Sequence, residues 1–103
     1  MFAIVFAHEA AIEVTTITVW WRANRLLAPD LFQTELRQAL LKVAAYPEIG
    51  AKARIRAAAS VRTIVLQRTG YVVFYDINLT TSTIEVVRVR HGKRRPLARL
   101  KRT

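Results

Sequence analysis

The chain has 103 residues, 52% of them hydrophobic, and its 17 Lys and Arg against 7 Asp and Glu give a formal net charge of +10. A chain of this length forms one domain around a single modest core, and its apolar content excludes disorder throughout. It contains no cysteine, which excludes disulfide bonds and thiol chemistry and is typical of a reducing compartment. The sequence pI of about 11.3 predicts an acidic partner: nucleic acid, an anionic surface or an acidic protein.

The sequence also lacks the patterns of several other classes of protein. No apolar run approaches the roughly 18 residues of a membrane span, and residues 1–7 lack the basic leader and cleavage pattern of a signal peptide. Two distant histidines and seven scattered carboxylates predict no metal site. The three glycines are isolated, so we expect no phosphate-binding loop and no cofactor.

The N-terminal part begins with a short apolar run, Phe2–Phe6, that favours a strand. The next segment, Glu9–Leu27, gives conflicting signals. Residues 14–19 are all β-branched, which favours a strand. Apolar residues nevertheless recur at helical spacing, at Ala10, Val14, Ile17 and Trp21. Because no turn residue interrupts the segment before Asn24, we interpret it as a helix.

A clearer amphipathic helix follows. Asp30 is positioned to cap it, and Gln33 stands where a capping box has its second partner. An apolar stripe predicts about four turns: Phe32, Leu36, Ala39, Leu40, Val43 and Tyr46. If Leu40 is buried at the centre of this face, Leu40→Ala is expected to destabilise the protein by roughly 2–5 kcal/mol. Pro47 and Gly50 end the helix.

Three strands come after a connector, Lys52–Ser60, that is either a loop or a short helical turn. Arg62–Gln67 and Tyr71–Ile77 are rich in β-branched and aromatic residues, and Gly70 in the loop between them can adopt positive φ. Thr83–Arg90 follows a polar turn. Three strands joined by two short loops predict an antiparallel meander.

The last of these strands is apolar on both faces. By strict alternation, Ile84 and Val86 lie on one face and Val87 and Val89 on the other. A strand of this kind needs cover on both faces of the sheet, or cover on one face and a partner on the other.

The predicted order is strand, helix, helix and three strands, a two-layer α+β domain (β-α-α-β-β-β) with a helical hairpin packed on a mainly antiparallel sheet. The first strand joins the sheet either at an edge or beside the last strand, because the hairpins fix the other neighbours. We expect one domain over residues 1–96 and a basic tail over residues 97–103.

Basic residues crowd the C-terminal end of the chain. From Arg88 onward there are eight of the 17 Lys and Arg and no carboxylate. Arg88 and Arg90 share a face of their strand and form a rigid pair suited to a phosphate or a carboxylate. The candidate partner-binding surface comprises Arg88, Arg90, His91, Lys93 and Arg94. The basic residues of the tail are expected to be solvated.

Four segments carry a recognisable combination of strand, helix and basic patterns. They are IVFAHEAAIEV near the start, YPEIG after the second helix, GYVVFYDI, and IEVVRVRHGKRRP near the end. Together they resemble the ParE/RelE superfamily of bacterial toxins from type II toxin–antitoxin modules. The histidine and small residue inside the basic run, Arg90–Arg94, are most similar to the ParE branch. The resemblance also favours a helix for Glu9–Leu27.

The resemblance implies a cytoplasmic protein and a cognate antitoxin, ParD-like or of another type, encoded beside it. The antitoxin's C-terminal segment wraps such a toxin, and we expect its acidic residues to meet the Arg88–Arg95 surface. Neutralising Arg88 and Arg90 is then expected to weaken antitoxin binding, chiefly at low salt. ParE-type members are associated with poisoning of DNA gyrase, and RelE-type members cut mRNA on the ribosome.

RNA cleavage needs a group that activates the ribose 2′-OH, an acid for the leaving oxygen and cations at the phosphate. His91 is the candidate for proton transfer, because imidazole titrates near neutral pH. The candidate cations are Arg62, Arg90 and Lys93. Alternatively, His91 is a structural residue at a strand end that bonds the backbone near Gly92. His8, where the first strand meets the helix, is expected to be structural and to cap the helix.

The pair Trp20-Trp21 suggests stacking on a nucleic-acid base. Consecutive helical positions point about 100° apart, so both rings cannot stack on one ligand. We expect one ring to pack into the core and the other to lie in an exposed groove between the helices, where it takes an anchor residue of the antitoxin.

Two functions of different class therefore remain open. A ParE-type toxin acts by contact with a topoisomerase and needs no active site, whereas a RelE-type endonuclease uses His91 and the strand arginines. We favour the first, because groups for acid–base chemistry are sparse and the basic end resembles ParE. A non-toxic basic nucleic-acid-binding module is a third interpretation.

Overall fold

The computed structural model describes residues 1–53 and 60–94, and within these ranges two α-helices pack on a five-stranded, mostly antiparallel sheet. The elements are β1 (Ala3–Phe6), α1 (His8–Asn24), α2 (Leu31–Ala45), β2 (Ala51–Lys52), β3 (Arg62–Val65), β4 (Tyr71–Asn78) and β5 (Thr83–His91), with a short 3-10 turn at Pro47–Ile49. The predicted α+β class and element order are confirmed, and β2 is an additional short strand.

The strand order is β1-β5-β4-β3-β2. β1 runs parallel to β5, and the other neighbouring strands are antiparallel. The predicted place of the first strand, beside the last one and at an edge, is confirmed. β2 ends at Lys52, the first residue of the predicted connector. Residues 54–59 of that connector and the predicted tail at 97–103 lie outside the described residues.

α1 is a helix despite its β-branched residues. Ala10 and Trp21 are buried, and Val14 and Ile17 pack against the same core cluster between the helices and the sheet. Tertiary burial therefore outweighs the weak helix propensity of the sequence. The predicted capping role of His8 is wrong: Ala7 occupies the N-cap position and no side chain caps the helix.

The predicted capping box at the start of α2 is also wrong. Asp30 occupies the N-cap position, but its side chain makes no capping bond. The side chains of Asp30 and Gln33 bind Arg22 of α1 instead. Arg22 Nε donates to Asp30 Oδ1 at 3.3 Å, and its Nη2 donates to Gln33 Oε1 at 2.7 Å. These bonds tie the two helices of the hairpin together.

Most of the predicted stripe on α2 faces the core. Phe32, Leu36, Ala39 and Val43 are buried, whereas Leu40 is only half-buried. Tyr46 is 70% exposed, because α2 ends at Ala45 and the chain turns away. The predicted loss of stability in Leu40→Ala required a buried Leu40, and this residue is only partly buried.

A bulge changes the predicted faces of β5. Tyr75 pairs with Val86 and Phe74 pairs with Arg88, so Val87 is an extra residue on β5. Val89 consequently lies with Val86 in the helix-covered core, and Val87 is buried on the opposite face with Val61 and Phe74. The predicted grouping of Val87 with Val89 is wrong. Arg88 and Arg90 still share a face, because they pair with Phe74 and Val72.

Candidate partner-binding surfaces

The structure gives Arg88 two carboxylate neighbours from α1. Its Nε lies 3.1 Å from each carboxylate oxygen of Glu13, and its Nη2 lies 2.8 Å from Glu13 Oε2. Glu9 Oε2 is 3.5 Å from Nη1. The hydrogen bond to Glu13 raises the pKa of Arg88, and this outweighs the opposite effect of burial. Arg88 is therefore neutralised within the chain, and the expectation of a surface without carboxylates is wrong at this residue.

Glu13 also protects an edge of the sheet. β1 pairs with β5 only over Thr83–Val86, so the outer edge of β5 has no strand neighbour beyond that point in the described part of the chain. Glu13 Oε1 accepts a hydrogen bond from the Val89 N–H at 2.8 Å. A helix carboxylate thus replaces the missing strand and satisfies a backbone donor there.

His91 ends β5 in the arrangement predicted for a structural residue. Its Nδ1 accepts a hydrogen bond from the Lys93 N–H at 3.1 Å, and its ring meets the Tyr71 ring edge to face, with centroids 5.1 Å apart. Gly70, at φ 85°, packs against the imidazole: a Cβ there would lie 3.0 Å from Nε2. Since Nδ1 accepts, the proton of a neutral His91 is on Nε2.

Arg62 lies away from His91. Its Nη1 donates to the carbonyls of Gly50 at 2.7 Å and Glu48 at 3.2 Å. Arg62 pairs with Tyr75 of β4, whereas His91 pairs with Tyr71. Four strand residues span roughly 13 Å. The candidate groups for RNA cleavage therefore divide into two sets, with Arg62 in one and Arg90, His91 and Lys93 in the other.

A cavity of about 310 Å³ lies between α1 and the end of β5. Ile12, Thr16 and Ile17 line it from the helix, and Arg90, His91 and Arg94 line it from the strand end. Burial and the nearby charges of Arg94 and Arg88 lower the pKa of Arg90. Lys93 is exposed beside them. A site with this positive field is suited to an anionic group of a partner.

The two tryptophans differ in burial, as predicted. Trp21 is 9% exposed, and its Nε1 donates to the hydroxyl of Tyr71 at 3.4 Å. Trp20 is 43% exposed, and the guanidinium carbon of Arg25 lies 4.7 Å from its ring centroid. The two rings meet at 71°. The structure therefore leaves Trp20 as the ring available to a partner.

A separate groove of about 680 Å³ runs between the two helices and β1. Apolar side chains line it from α1, α2 and the N-terminal residues: Val14, Leu36, Leu40, Leu41, Ala44, Phe2 and Ile4. Arg22, Asp30 and Arg37 add charge to its lining. Trp20 does not line this groove, so its predicted place between the helices is wrong: on α1, Val14 and Arg22 face the groove instead.

A larger cavity, of about 920 Å³, lies near the C-terminal end of α2. Tyr46, Ile49, Arg62 and Asp76 are among its lining residues. Neither histidine lines it, and Arg62 is already bonded to backbone carbonyls there. Across residues 1–53 and 60–94, we find no group of three or more His, Asp or Glu placed to hold a metal ion, and no helix long and apolar enough to cross a membrane.

Comparison with solved structures finds the same fold. A chain of the intact E. coli RelBE toxin–antitoxin complex is 21% identical, with a TM-score of 0.63, and the match covers 91% of this chain and 100% of that one. The isolated E. coli RelE toxin in its P21 crystal form is also 21% identical, with a TM-score of 0.63 and coverage of 92% and 88%. At these identities the likeness concerns fold alone.

Sequence comparison identifies the family. No curated protein matches the chain significantly. The sequence profile described as "ParE toxin of type II toxin-antitoxin system, parDE" matches residues 4–96. That match spans most of the chain and includes both helices and all the strands described above except the first residue of β1. The chain therefore belongs to the ParE toxin family of type II toxin–antitoxin systems.

Proposed function

We propose that this chain is the toxin of a type II module and that it poisons DNA gyrase by direct contact, without a catalytic site of its own. Membership of the ParE family supports the toxin role. The proposed mode of action rests on one observation: side chains that RNA cleavage would require already form hydrogen bonds or ion pairs within the chain. The partner classes remain those implied by the resemblance: gyrase as target and a cognate antitoxin as inhibitor, all in the cytoplasm.

Proton transfer to and from RNA requires a free base and a free acid close to one phosphate. His91 Nδ1 already accepts the Lys93 N–H at 3.1 Å, which leaves Nε2 as its one nitrogen for proton transfer. Glu13, which lines the same cavity, already binds Arg88 and the Val89 N–H. Arg62 is bonded elsewhere and lies far along the sheet. This arrangement supports recognition by charge rather than catalysis at the end of β5.

The groove between the helices and β1 supports an antitoxin partner. It is concave and mostly apolar, and Arg22 and Arg37 contribute positive charge. A segment that folds on binding fits such a groove by burying alternate apolar anchors and placing carboxylates near its arginines. The similar fold of a chain in the RelBE toxin–antitoxin complex is consistent with this assignment.

The test compares two activities of the purified protein. We expect it to stabilise gyrase–DNA cleavage complexes in a supercoiling reaction and to leave mRNA intact in a cell-free translation reaction. In cells, induction is expected to cause filamentation and an SOS response before protein synthesis falls. Cleaved mRNA without trapped gyrase would contradict the proposal, and His91→Ala would then test the RelE-type reaction.

The cavity beside His91 gives the endonuclease its strongest remaining support. Three cationic residues, Arg90, Lys93 and Arg94, lie near its imidazole. His91→Ala therefore separates the two functions. Under the proposal mRNA stays intact with both the parent and the variant, and gyrase trapping falls at most in part. Under the alternative it abolishes RNA cleavage while the protein stays folded.

A further inference from the structure

The outward side of α1 is unlike that of an ordinary surface helix. Helices at a protein surface usually turn charged residues to water, but the exposed positions between residues 11 and 20 carry no charge. They are Ala11, Ile12, Thr15, Thr16, Val19 and Trp20. Ile12 and Val19 are 52% and 62% exposed. An exposed apolar strip along most of a helix marks an interaction surface.

The side chains of this strip are also conformationally restricted. Ile12, Thr15, Thr16 and Val19 are β-branched, and such residues have few χ1 rotamers in a helix. The hydroxyl of Thr15 donates to the Ala11 carbonyl at 3.1 Å, so a partner does not need to satisfy that donor. Little rotamer freedom is lost when such side chains are buried by a partner. The strip is therefore preorganised for contact.

This strip and the groove between the helices are lined by different residues of α1. Val14 and Arg22 line the groove, whereas Ile12 and Thr16 line the cavity beside His91, and no residue lines both. Successive helical residues are about 100° apart, so Val14 points about 160° away from Ile12 and about 140° away from Val19 around the axis. Arg22 is seven residues from Thr15, so these two lie within about 20° of each other and the two surfaces adjoin there. Ile12 and Val19 therefore lie on a different face of the helix from Val14.

Shape decides which kind of partner each surface takes. A groove receives a helix or an extended segment, whereas the strip is the convex face of a helix. Such a face packs into a groove of its partner, whether that groove lies between elements or between the side-chain ridges of one helix. We take the partner to be folded, because the proposed target is a folded protein.

Charge further defines that receptor. Arg25 lies against Trp20 at one end of the strip, and Arg90 and Arg94 line the cavity at the other end. Glu13, between them, is bound to Arg88. Positive charge at both ends of an apolar strip is complementary to an apolar groove with carboxylates at its rim.

We propose that the outer face of α1 is the surface with which this toxin docks onto its target, a folded protein with an apolar groove rimmed by carboxylates. The inference rests on the proposed function, in which the target is a protein. It adds that Ile12 and Val19 can be altered without changing a residue that lines the groove, where the antitoxin segment is proposed to bind.

The double variant Ile12→Gln/Val19→Gln tests the proposal in the full-length chain. Gln has a better helix propensity than Ile or Val, so the variant is expected to fold, and a thermal melt checks this. The control is Val65→Gln/Leu79→Gln, which removes two apolar side chains that are 46% and 77% exposed at positions away from α1. Each protein is expressed at graded levels, and the level that arrests growth is measured together with gyrase cleavage complexes.

We expect the α1 variant to need at least about tenfold more protein for arrest, as for loss of an interface hot spot, and the control to match the parent chain. Arrest by the α1 variant at the parent level, or an equal loss in the control, would overturn the inference. If the parent arrests growth without trapping gyrase, the proposed function fails while the arrest data still decide the role of α1. If the parent does not arrest growth at all, both fail.

Discussion

The phenol of Tyr75 joins two distant segments inside the protein. The side chain is buried, its hydroxyl donates to the Pro47 carbonyl at 2.7 Å, and it accepts the Gly50 N–H at 2.9 Å. A Cβ at Gly50 would lie 2.5 Å from that hydroxyl, so this close approach requires glycine. Burial raises the pKa of Tyr75, although the bond from Gly50 and the charge of Arg62 oppose the increase.

Tyr75→Phe is expected to destabilise the protein by about 1–3 kcal/mol, because it leaves the Pro47 carbonyl and the Gly50 N–H without their partner. The variant should also respond differently to alkaline pH. In the unfolded chain the phenol ionises near pH 10, whereas in the folded chain its pKa is higher. The contribution of Tyr75 is therefore fully present below about pH 10 and is lost as the pH rises through the folded pKa.

Urea unfolding between pH 8 and 11 measures both effects of Tyr75→Phe. The parent should lose stability above about pH 10 more steeply than the variant. Identical slopes in that range would show that Tyr75 does not carry the alkaline dependence.

Thr18 places a polar group in a buried environment. Its hydroxyl is buried and has no hydrogen-bond partner in the described residues. Thr18→Val keeps the β-branched shape and removes the unsatisfied group, so we expect roughly 1 kcal/mol of stabilisation. Thr15→Val is the matched control, because the Thr15 hydroxyl is exposed and bonded to Ala11. A thermal melt in which Thr18→Val is no more stable than this control would contradict the argument.

The carboxylate of Glu13 links helix α1 to strand β5. Glu13 binds Arg88 and the Val89 N–H, and the side chains of Glu13 and Arg88 are each 17% exposed. Glu13→Gln removes the charge from the ion pair, and roughly 2 kcal/mol of stability should be lost because Arg88 remains largely desolvated. Glu9→Gln is the control: its carboxylate is 3.5 Å away and more exposed, so the expected loss is below about 1 kcal/mol. Equal losses in urea melts would mean that Glu13 has no special role.

The elements themselves were largely predictable, but their polar links were not. Apolar residues recur every second position in a strand and about every 3.6 positions in a helix when one face is buried. This spacing was enough to locate α2, β3, β4 and β5 in the sequence. The bulge that moves Val89 to the core leaves no periodic signal. Glu13 accepts the Val89 N–H from a position 76 residues away in the sequence. Glu35 of α2 likewise accepts the Thr69 N–H at 3.0 Å, 34 residues away. Only the packing of α1 and α2 on the sheet brings those carboxylates to their backbone partners.

Only the part of the candidate site that is local in sequence was predicted. The basic cluster of Arg90, Lys93 and Arg94 is local in sequence, so composition revealed it. The neutralisation of Arg88 is tertiary, and no local pattern indicates it. The exposed strip on α1 was visible only as an excess of β-branched residues, which predicts a strand when packing is unknown.

The whole molecule carries a net charge of +10, so any acidic partner is attracted over a distance as well as by local contacts. Neutralising Arg88 is now expected to reduce stability more than partner binding, because its charge is already paired within the chain. The exposed cations Lys93 and Arg94 are better probes of a binding surface.

Lys93→Ala/Arg94→Ala is expected to slow association with purified gyrase more than the control Lys42→Ala/Arg68→Ala, which removes the same charge from exposed positions elsewhere. Both pairs reduce long-range attraction, but only the first removes cations beside the proposed docking face. The difference should be about tenfold at low salt and should shrink as ionic strength rises, because the Debye length falls to about 8 Å at 0.15 M. Stopped-flow association rates at several salt concentrations measure it. Equal slowing by both variants would mean that gyrase responds to net charge alone and that the end of β5 is not part of the interface.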